Sequence, residues 1–246
     1  MKVPPDPPNE QARLRALRNM HVLDTMPEQV YDDLTQLAAY VCETPIALVS
    51  LVDENRQWFK SRVGLEVEET TRDESFCAHA VASGEMLLVQ DSLADERFAD
   101  NPLVLSDPNV RFYAGTPLIT GEGHALGTVC VIDHIPRDLL PEQIEMLRAI
   151  GRQVVTHLEL RIAKRAAEQA GGPTSQFMAH VSQSMRESLK SVIGFTDVML
   201  SKTEAETSPL DSAQIESVRG KCEHLLTLVD MVKEQSQLES DSSTLD

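Results

Sequence analysis

Positive charge is what this 246-residue chain has little of: 22 Lys and Arg stand against 39 Asp and Glu, a formal net charge of -17. Binding to nucleic acid or to an anionic membrane needs clustered Lys and Arg that neutralise phosphates. No such cluster occurs, so neither nucleic acid nor membrane is expected as a partner. Long apolar runs are missing as well. No stretch approaches the ~18 to 20 residues of a membrane span, and Met1–Pro8 lacks the apolar centre of a signal peptide, so a cytoplasmic protein is expected. Cysteine is sparse and scattered. Cys42, Cys77, Cys130 and Cys222 form no C-x-x-C pair, which signals neither a zinc site nor a disulfide framework, and reduced thiols are the expectation.

What is present is a chain with 41% apolar residues, enough for one medium domain and one smaller element. The Pro-rich start, residues 1–9, and the polar end, residues 240–246, are expected to be disordered tails. Between Glu10 and Asp138 helical and extended patterns mix. Val30, Leu34, Leu37 and Val41 give Glu28 to Cys42 a helical period. Ile46 to Val52 reads as a strand, turned by Asp53-Glu54-Asn55 into a second strand over Gln57 to Lys60. Thr71 to Ser83 reads as a helix, Met86 to Gln90 and Val110 to Pro117 as extended, and Ala125 to Asp133 as a strand. The expected class is an α+β sheet domain.

The stretches Pro45–Asp53, Arg56–Ser61, Ser75–Ala80, Arg97–Val104, Arg111–Gly115 and Gly127–Asp133 together resemble a GAF sensory domain of the bacterial signalling type. The resemblance implies an antiparallel sheet flanked by helices, with a pocket that takes an unidentified small ligand. Candidate ligand-binding residues are Phe76, Cys77, His79, Arg97, Phe98, Asn101, Arg111, Tyr113 and Cys130. The residue set of cyclic-nucleotide GAF domains is not assembled, and the Cys-His pair that anchors bilins is absent. Cys77 and His79 would point about 200° apart on a helix, which disfavours shared metal ligation. A packed cysteine and a hydrogen-bonded histidine is the plainer reading. Asp91, Arg97 and Arg111 either rim an anion or amide pocket or pair to hold loops. Cys77 and Cys130, if neighbours, would be placed to sense oxidation.

Residues 139–173 form a long helical pattern in which Leu140, Ile144, Leu147, Gly151, Val154 and Leu158 alternate steps of three and four. That seam predicts a parallel coiled coil that ends at Gly171-Gly172-Pro173. Residues 174–239 carry two more seams, Met178, Val181, Met185, Val192 and Phe195, then Ile215, Val218, Leu225 and Val229. A helical hairpin with those stripes is expected to pair with a second copy into a dimeric four-helix bundle. Leu147, Val154 and Leu158 are assigned to the same dimer interface.

Phe177 to Phe195 resembles the dimerisation and phosphoacceptor segment of sensor histidine kinases, with Gln183 where the phosphorylated histidine belongs. A carboxamide cannot act as the nucleophile for phosphoryl transfer. The acidic neighbour that assists transfer is gone, replaced by Ser184, and Glu187-Ser188 replaces the usual Thr-Pro. Few residues follow Leu238, and no ATP-binding domain is evident in the chain. The expectation is a non-enzymatic signalling regulator, a homodimer whose Gln183, Arg186, Glu187 and Lys190 dock a histidine kinase or response regulator. Two alternatives stand beside it: phosphotransfer through His180, three residues before Gln183, and a redox or small-molecule-handling GAF protein.

Overall fold

A computed structural model describes residues 1–169 and Lys190. Its first compact unit is Met1–Leu158. At the centre lies a six-stranded antiparallel sheet in the order β3-β2-β1-β6-β5-β4. Its strands are β1 Ile46–Val52, β2 Arg56–Val63, β3 Glu69–Thr71, β4 Leu87–Val89, β5 Phe112–Ile119 and β6 Ala125–Asp133. Five helices surround it: α1 Glu10–Asn19, α2 Gln29–Cys42, α3 Phe76–Ser83, α4 Pro102–Leu105 and α5 Pro141–Gln169.

Every residue of β1 and β6 is buried. Both faces of the central sheet are therefore covered, and side-chain alternation divides two cores rather than core from solvent. Ala47, Val49, Leu51, Val129 and Val131 join one core with residues of α1, α2 and α5. Ile46, Leu48, Cys130 and Ile132 join the other with Phe76, Cys77 and Val81 of α3 and Val104 of α4. In the β1–β6 register Leu48 faces Cys130. Gly127 sits opposite Leu51, where an added Cβ would come within 1.9 Å of the Ser50 carbonyl oxygen, so only glycine lets the two strands approach.

The β1 and β6 limits agree with the sequence pattern, and α2 begins one residue later than expected. Other boundaries differ. The expected helix from Thr71 is split, because Glu69–Thr71 pairs with β2 and the Ser75 hydroxyl accepts the Ala78 N–H at 3.0 Å, starting α3 at Phe76. α1, whose pattern is too polar to announce a core helix, is held by Arg13. This guanidinium is 1% exposed and donates to the Val52 carbonyl at 2.7 Å and to the Glu10 carboxylate at 2.7 and 2.8 Å.

The N-terminal residues are not a free tail. Pro4 and Pro7 are buried, Lys2 N–H donates to the Arg97 carbonyl at 3.1 Å, the Met1 ammonium pairs with Asp100, and Asp6 accepts from Arg72 at 2.9 Å.

A further correction concerns α5. Leu147, Val154 and Leu158, assigned by their spacing to a dimer seam, are fully buried with Ile150 in the core against the sheet. Gly151 lies against Thr116 of β5, where an added Cβ would meet the Thr116 methyl at 2.8 Å. The apolar stripe is spent inside one chain, so the domain extends to Leu158 rather than ending at Asp138. Of the hairpin, only Lys190, helical and exposed, belongs to the described residues. The expectations for Met178, His180, Val181, Gln183, Met185, Arg186, Glu187, Val192, Phe195, Ile215, Val218, Leu225 and Val229 lie outside them.

Candidate functional site

A cavity of about 140 Å³ opens on the α3 side of the sheet. Strand alternation supplies Leu48, Phe59 and Ile132, α3 supplies Phe76 and Cys77, and Leu103, Val110 and Tyr113 come from α4, the following loop and β5. Leu65, Val67 and Pro108 complete the apolar lining, and the polar groups along it are Gln57, Thr70 and Asp107. Gln57 ties the surrounding elements together: its Nε2 donates to Thr70 Oγ1 at 2.7 Å, and its Oε1 accepts from the hydroxyl of Ser75, the cap of α3. An apolar wall with a few placed polar groups is the usual make-up of a small-molecule site.

Of the nine candidate ligand residues, Phe76, Cys77 and Tyr113 line this cavity and Cys130 lies directly behind it. The Phe98 ring stacks on Phe76 at 3.9 Å between centroids, in a second layer. Asn101 is structural, accepting the Leu103 N–H at 2.9 Å and donating to the Glu74 carbonyl at 2.9 Å. His79 faces the N-terminal segment, with Nε2 3.1 Å from the Lys2 carbonyl and its ring edge-on to Phe98. Burial holds its pKa below the ordinary histidine value.

The two arginines each pair with an aspartate. Arg111 makes a two-pronged contact with Asp91 at 3.0 and 2.9 Å, and Arg97 does the same with Asp95 at 2.9 and 2.6 Å. Neither lines the cavity, and Arg97 pairs with Asp95 rather than Asp91. Leu48, Phe59, Val110 and Ile132 were missed by sequence reasoning. The period of two on β6 offered a route to Ile132, which shares the parity of Cys130, and the ladder leads from Cys130 across to Leu48.

The Cys77 and Cys130 sulfurs are 3.7 Å apart, and the Tyr113 hydroxyl donates to Cys77 Sγ at 3.4 Å. Burial alone would raise the Cys77 pKa. The hydrogen-bonding groups of Cys130, Thr128, Tyr113 and Ser50 outweigh it and bring the thiol down to about 6. Cys130 moves the other way: its hydrogen bond to Cys77, burial and the charge on Cys77 all raise it. The two thiols are thus shifted in opposite directions, with Cys77 the more acidic of the pair. Burial and the two neighbouring sulfurs likewise push Tyr113 upward, keeping its hydroxyl a donor. Among the described residues no group of three His, Cys, Asp or Glu side chains gathers as a metal site requires, and no helix is long and apolar enough to cross a membrane.

Residues 26–158, more than half of the chain, match the family model of the GAF domain. The chain belongs to the GAF domain family. Its GAF signalling domain has a cyclic di-GMP phosphodiesterase of Pseudomonas aeruginosa as a relative, 40% identical over 159 residues that cover 64% of this chain and 27% of the phosphodiesterase. The signal transduction histidine-protein kinase BarA of Escherichia coli is 27% identical over 96 residues, 39% of this chain and 10% of the kinase. Among solved structures, the GAF domain from Acinetobacter phosphoenolpyruvate-protein phosphotransferase superposes with a TM-score of 0.45 at 17% identity, covering 62% of this chain and 93% of that one. The chain therefore spans only about a quarter of the phosphodiesterase and a tenth of the kinase. One expectation is overturned. The reading of the chain as no enzyme fails against the relative at 40% identity, which is itself named as an enzyme.

Proposed function

We propose that the GAF domain is the ligand-responsive input of a signalling protein, and that occupation of the cavity between α3, α4 and the sheet sets its state. The apolar cavity is the observation that carries this reading. A cavity near 150 Å³ lined by apolar side chains accommodates a molecule the size of benzene, so a ligand here would insert an aromatic or branched apolar group and meet Gln57, Thr70 and Asp107 with its polar part. Helix α5 supports an outlet for that state. Its buried stripe packs on the same sheet, opposite the cavity, and the helix continues to Gln169. We propose further that residues 174–239 pair with a second copy of the chain and dock a histidine kinase or response regulator through the face around Gln183. Support for this comes from the resemblance of Phe177 to Phe195 and from the kinship to a histidine kinase. The 40% identity to a phosphodiesterase favours a second output, control of cyclic di-GMP turnover.

Calorimetric titration of the full chain with indole, an aromatic probe of suitable size, tests the input. Binding is expected, and Leu103→Phe, which fills the cavity, should abolish it. The same samples, with and without indole, are then mixed with a purified receiver protein and with cyclic di-GMP. Indole-dependent retention of the receiver supports the docking output, and indole-dependent hydrolysis supports the second. No heat with indole, or heat unchanged by Leu103→Phe, would refute the assigned pocket.

A further inference from the structure

We propose that Cys77 and Cys130 are a peroxide-reactive thiol pair that closes to an intramolecular disulfide within the GAF domain. The two residues are 53 positions apart in sequence and come from different elements, Cys77 from the first turn of α3 and Cys130 from the middle of β6. Their sulfurs stand 3.7 Å apart, against about 2.05 Å in a disulfide, so the two atoms must approach by a further ångström or two for the bond to form. Cys77 lines the cavity, which gives a small hydroperoxide a way in, while Cys130 lies behind it with no exposed surface.

The surroundings suit a sulfur that carries negative charge. Tyr113 donates to Cys77 Sγ at 3.4 Å. The Thr128 hydroxyl, fully buried, makes no hydrogen bond of ordinary geometry, which leaves its proton available to a charged sulfur nearby. A cysteine set among such donors is the nucleophilic member of a pair. Cys42 is the contrast: it lies in the core on the opposite face of the sheet, where burial and then Glu43 push its thiol up to about 12.

The chemistry is a two-electron oxidation by a hydroperoxide. Cys77 thiolate attacks the terminal peroxide oxygen; an S–O bond forms, the O–O bond breaks, and the departing alkoxide or hydroxide takes a proton, leaving an alcohol or water and a Cys77 sulfenic acid. Cys130, as its thiolate, then attacks Cys77 Sγ; the S–S bond forms, the S–O bond breaks, and the released hydroxide is protonated to water. In sum two thiols and one hydroperoxide give one disulfide, one alcohol or water, and one water. The bond would tie the start of α3 to β6 across the floor of the cavity, so oxidation and ligand entry act on the same wall.

The test uses the reduced full chain, treated with one equivalent of hydrogen peroxide, alkylated, digested without reductant and mapped by mass spectrometry. A single cross-linked peptide pair, Cys77 with Cys130, is expected within one chain, lost again on treatment with dithiothreitol. In Cys130→Ala, dimedone should label Cys77 at least about tenfold faster than Cys42. In Cys77→Ala, Cys130 should stay unlabelled at the same dose. Retention of all four thiols by the wild-type chain, a cross-link through Cys42 or Cys222 instead, or equal labelling of Cys77 and Cys42 would overturn the proposal. The wild-type map decides even if a variant fails to fold.

Discussion

Replacing Gly115 with alanine would drive a methyl group into the Tyr113 ring. The new Cβ would stand 2.1 Å from the phenolic oxygen, 2.6 Å from Cζ and 2.9 Å from Cε1. Ordinary contact begins near 3.4 Å, so the ring must move by more than an ångström. Tyr113 has little freedom, since Phe76 lies 5.2 Å away, ring to ring, and Cys77 receives its hydroxyl proton. The side left open is the cavity that Tyr113 lines. Overpacking of this kind costs about 1–3 kcal/mol, which for a chain of this size lowers Tm by about 2–4 °C for each kcal/mol. The displaced ring should also shrink the cavity and weaken uptake of indole. Differential scanning fluorimetry and calorimetric titration read the two effects. The decisive arm is the double variant: Tyr113→Leu empties the space the methyl needs, so Gly115→Ala should cost far less on that background, a favourable coupling of about 1–2 kcal/mol. A Gly115→Ala chain with wild-type Tm and undiminished indole binding, or strictly additive effects in the double variant, would refute the placement of Tyr113 as the movable wall of the site.

Two other outcomes follow from the helices on the opposite face. Glu10 is partly desolvated, which by itself raises its pKa, but hydrogen bonds and charge from Arg13 and Arg72 outweigh this and lower it from 4.5 to about 2. A lowered carboxyl pKa stabilises the fold above the unfolded value and loses that contribution as pH falls through the folded one. Stability should therefore decline between about pH 5 and pH 2, by about 1–2 kcal/mol from this group after solvent screening, and Glu10→Gln should flatten that limb in urea titrations run at each pH. Leu147→Ala removes a fully buried side chain of α5 and should cost about 2–5 kcal/mol, seen as a lower urea midpoint for the GAF domain. Loss of self-association in light scattering with an unchanged midpoint would instead return Leu147 to a dimer seam.

Much of the sheet was legible because β1 and β6 are short, mostly apolar runs between turn residues, and such runs announce themselves locally. α3 was misjudged at its start, where Thr70 and Thr71 are claimed by a ladder with β2 and helix can begin only beyond the Ser75 cap. α1 went unread, and residues 1–9 were read as a disordered tail, for a related reason. Their anchoring is polar and distant: Arg13 to Val52, Arg72 to Asp6 and Glu10, Met1 to Asp100. No periodicity encodes such contacts. The candidate site fared in the same way. Phe76, Cys77 and Tyr113 were found and line the cavity, whereas Arg97 and Arg111 carry the charge of a binding residue but are each matched by a nearby aspartate.

The sequence by itself determined the α+β class, the limits of the central strands, the family, and an α5 whose apolar positions recur every three or four residues. Those are properties of neighbouring residues, set by backbone periods of two and 3.6. Only the tertiary structure decided what the apolar positions face. The stripe of α5 fits a coiled coil and a sheet equally well by spacing, and the sheet takes it because β5 and β6 offer a broad apolar face with Gly151 allowing close approach to Thr116. Likewise two cysteines 53 residues apart become neighbours only because the register sets Cys130 beneath the first turn of α3. Burial of a common surface brings them together, and that surface does not exist until the chain has folded.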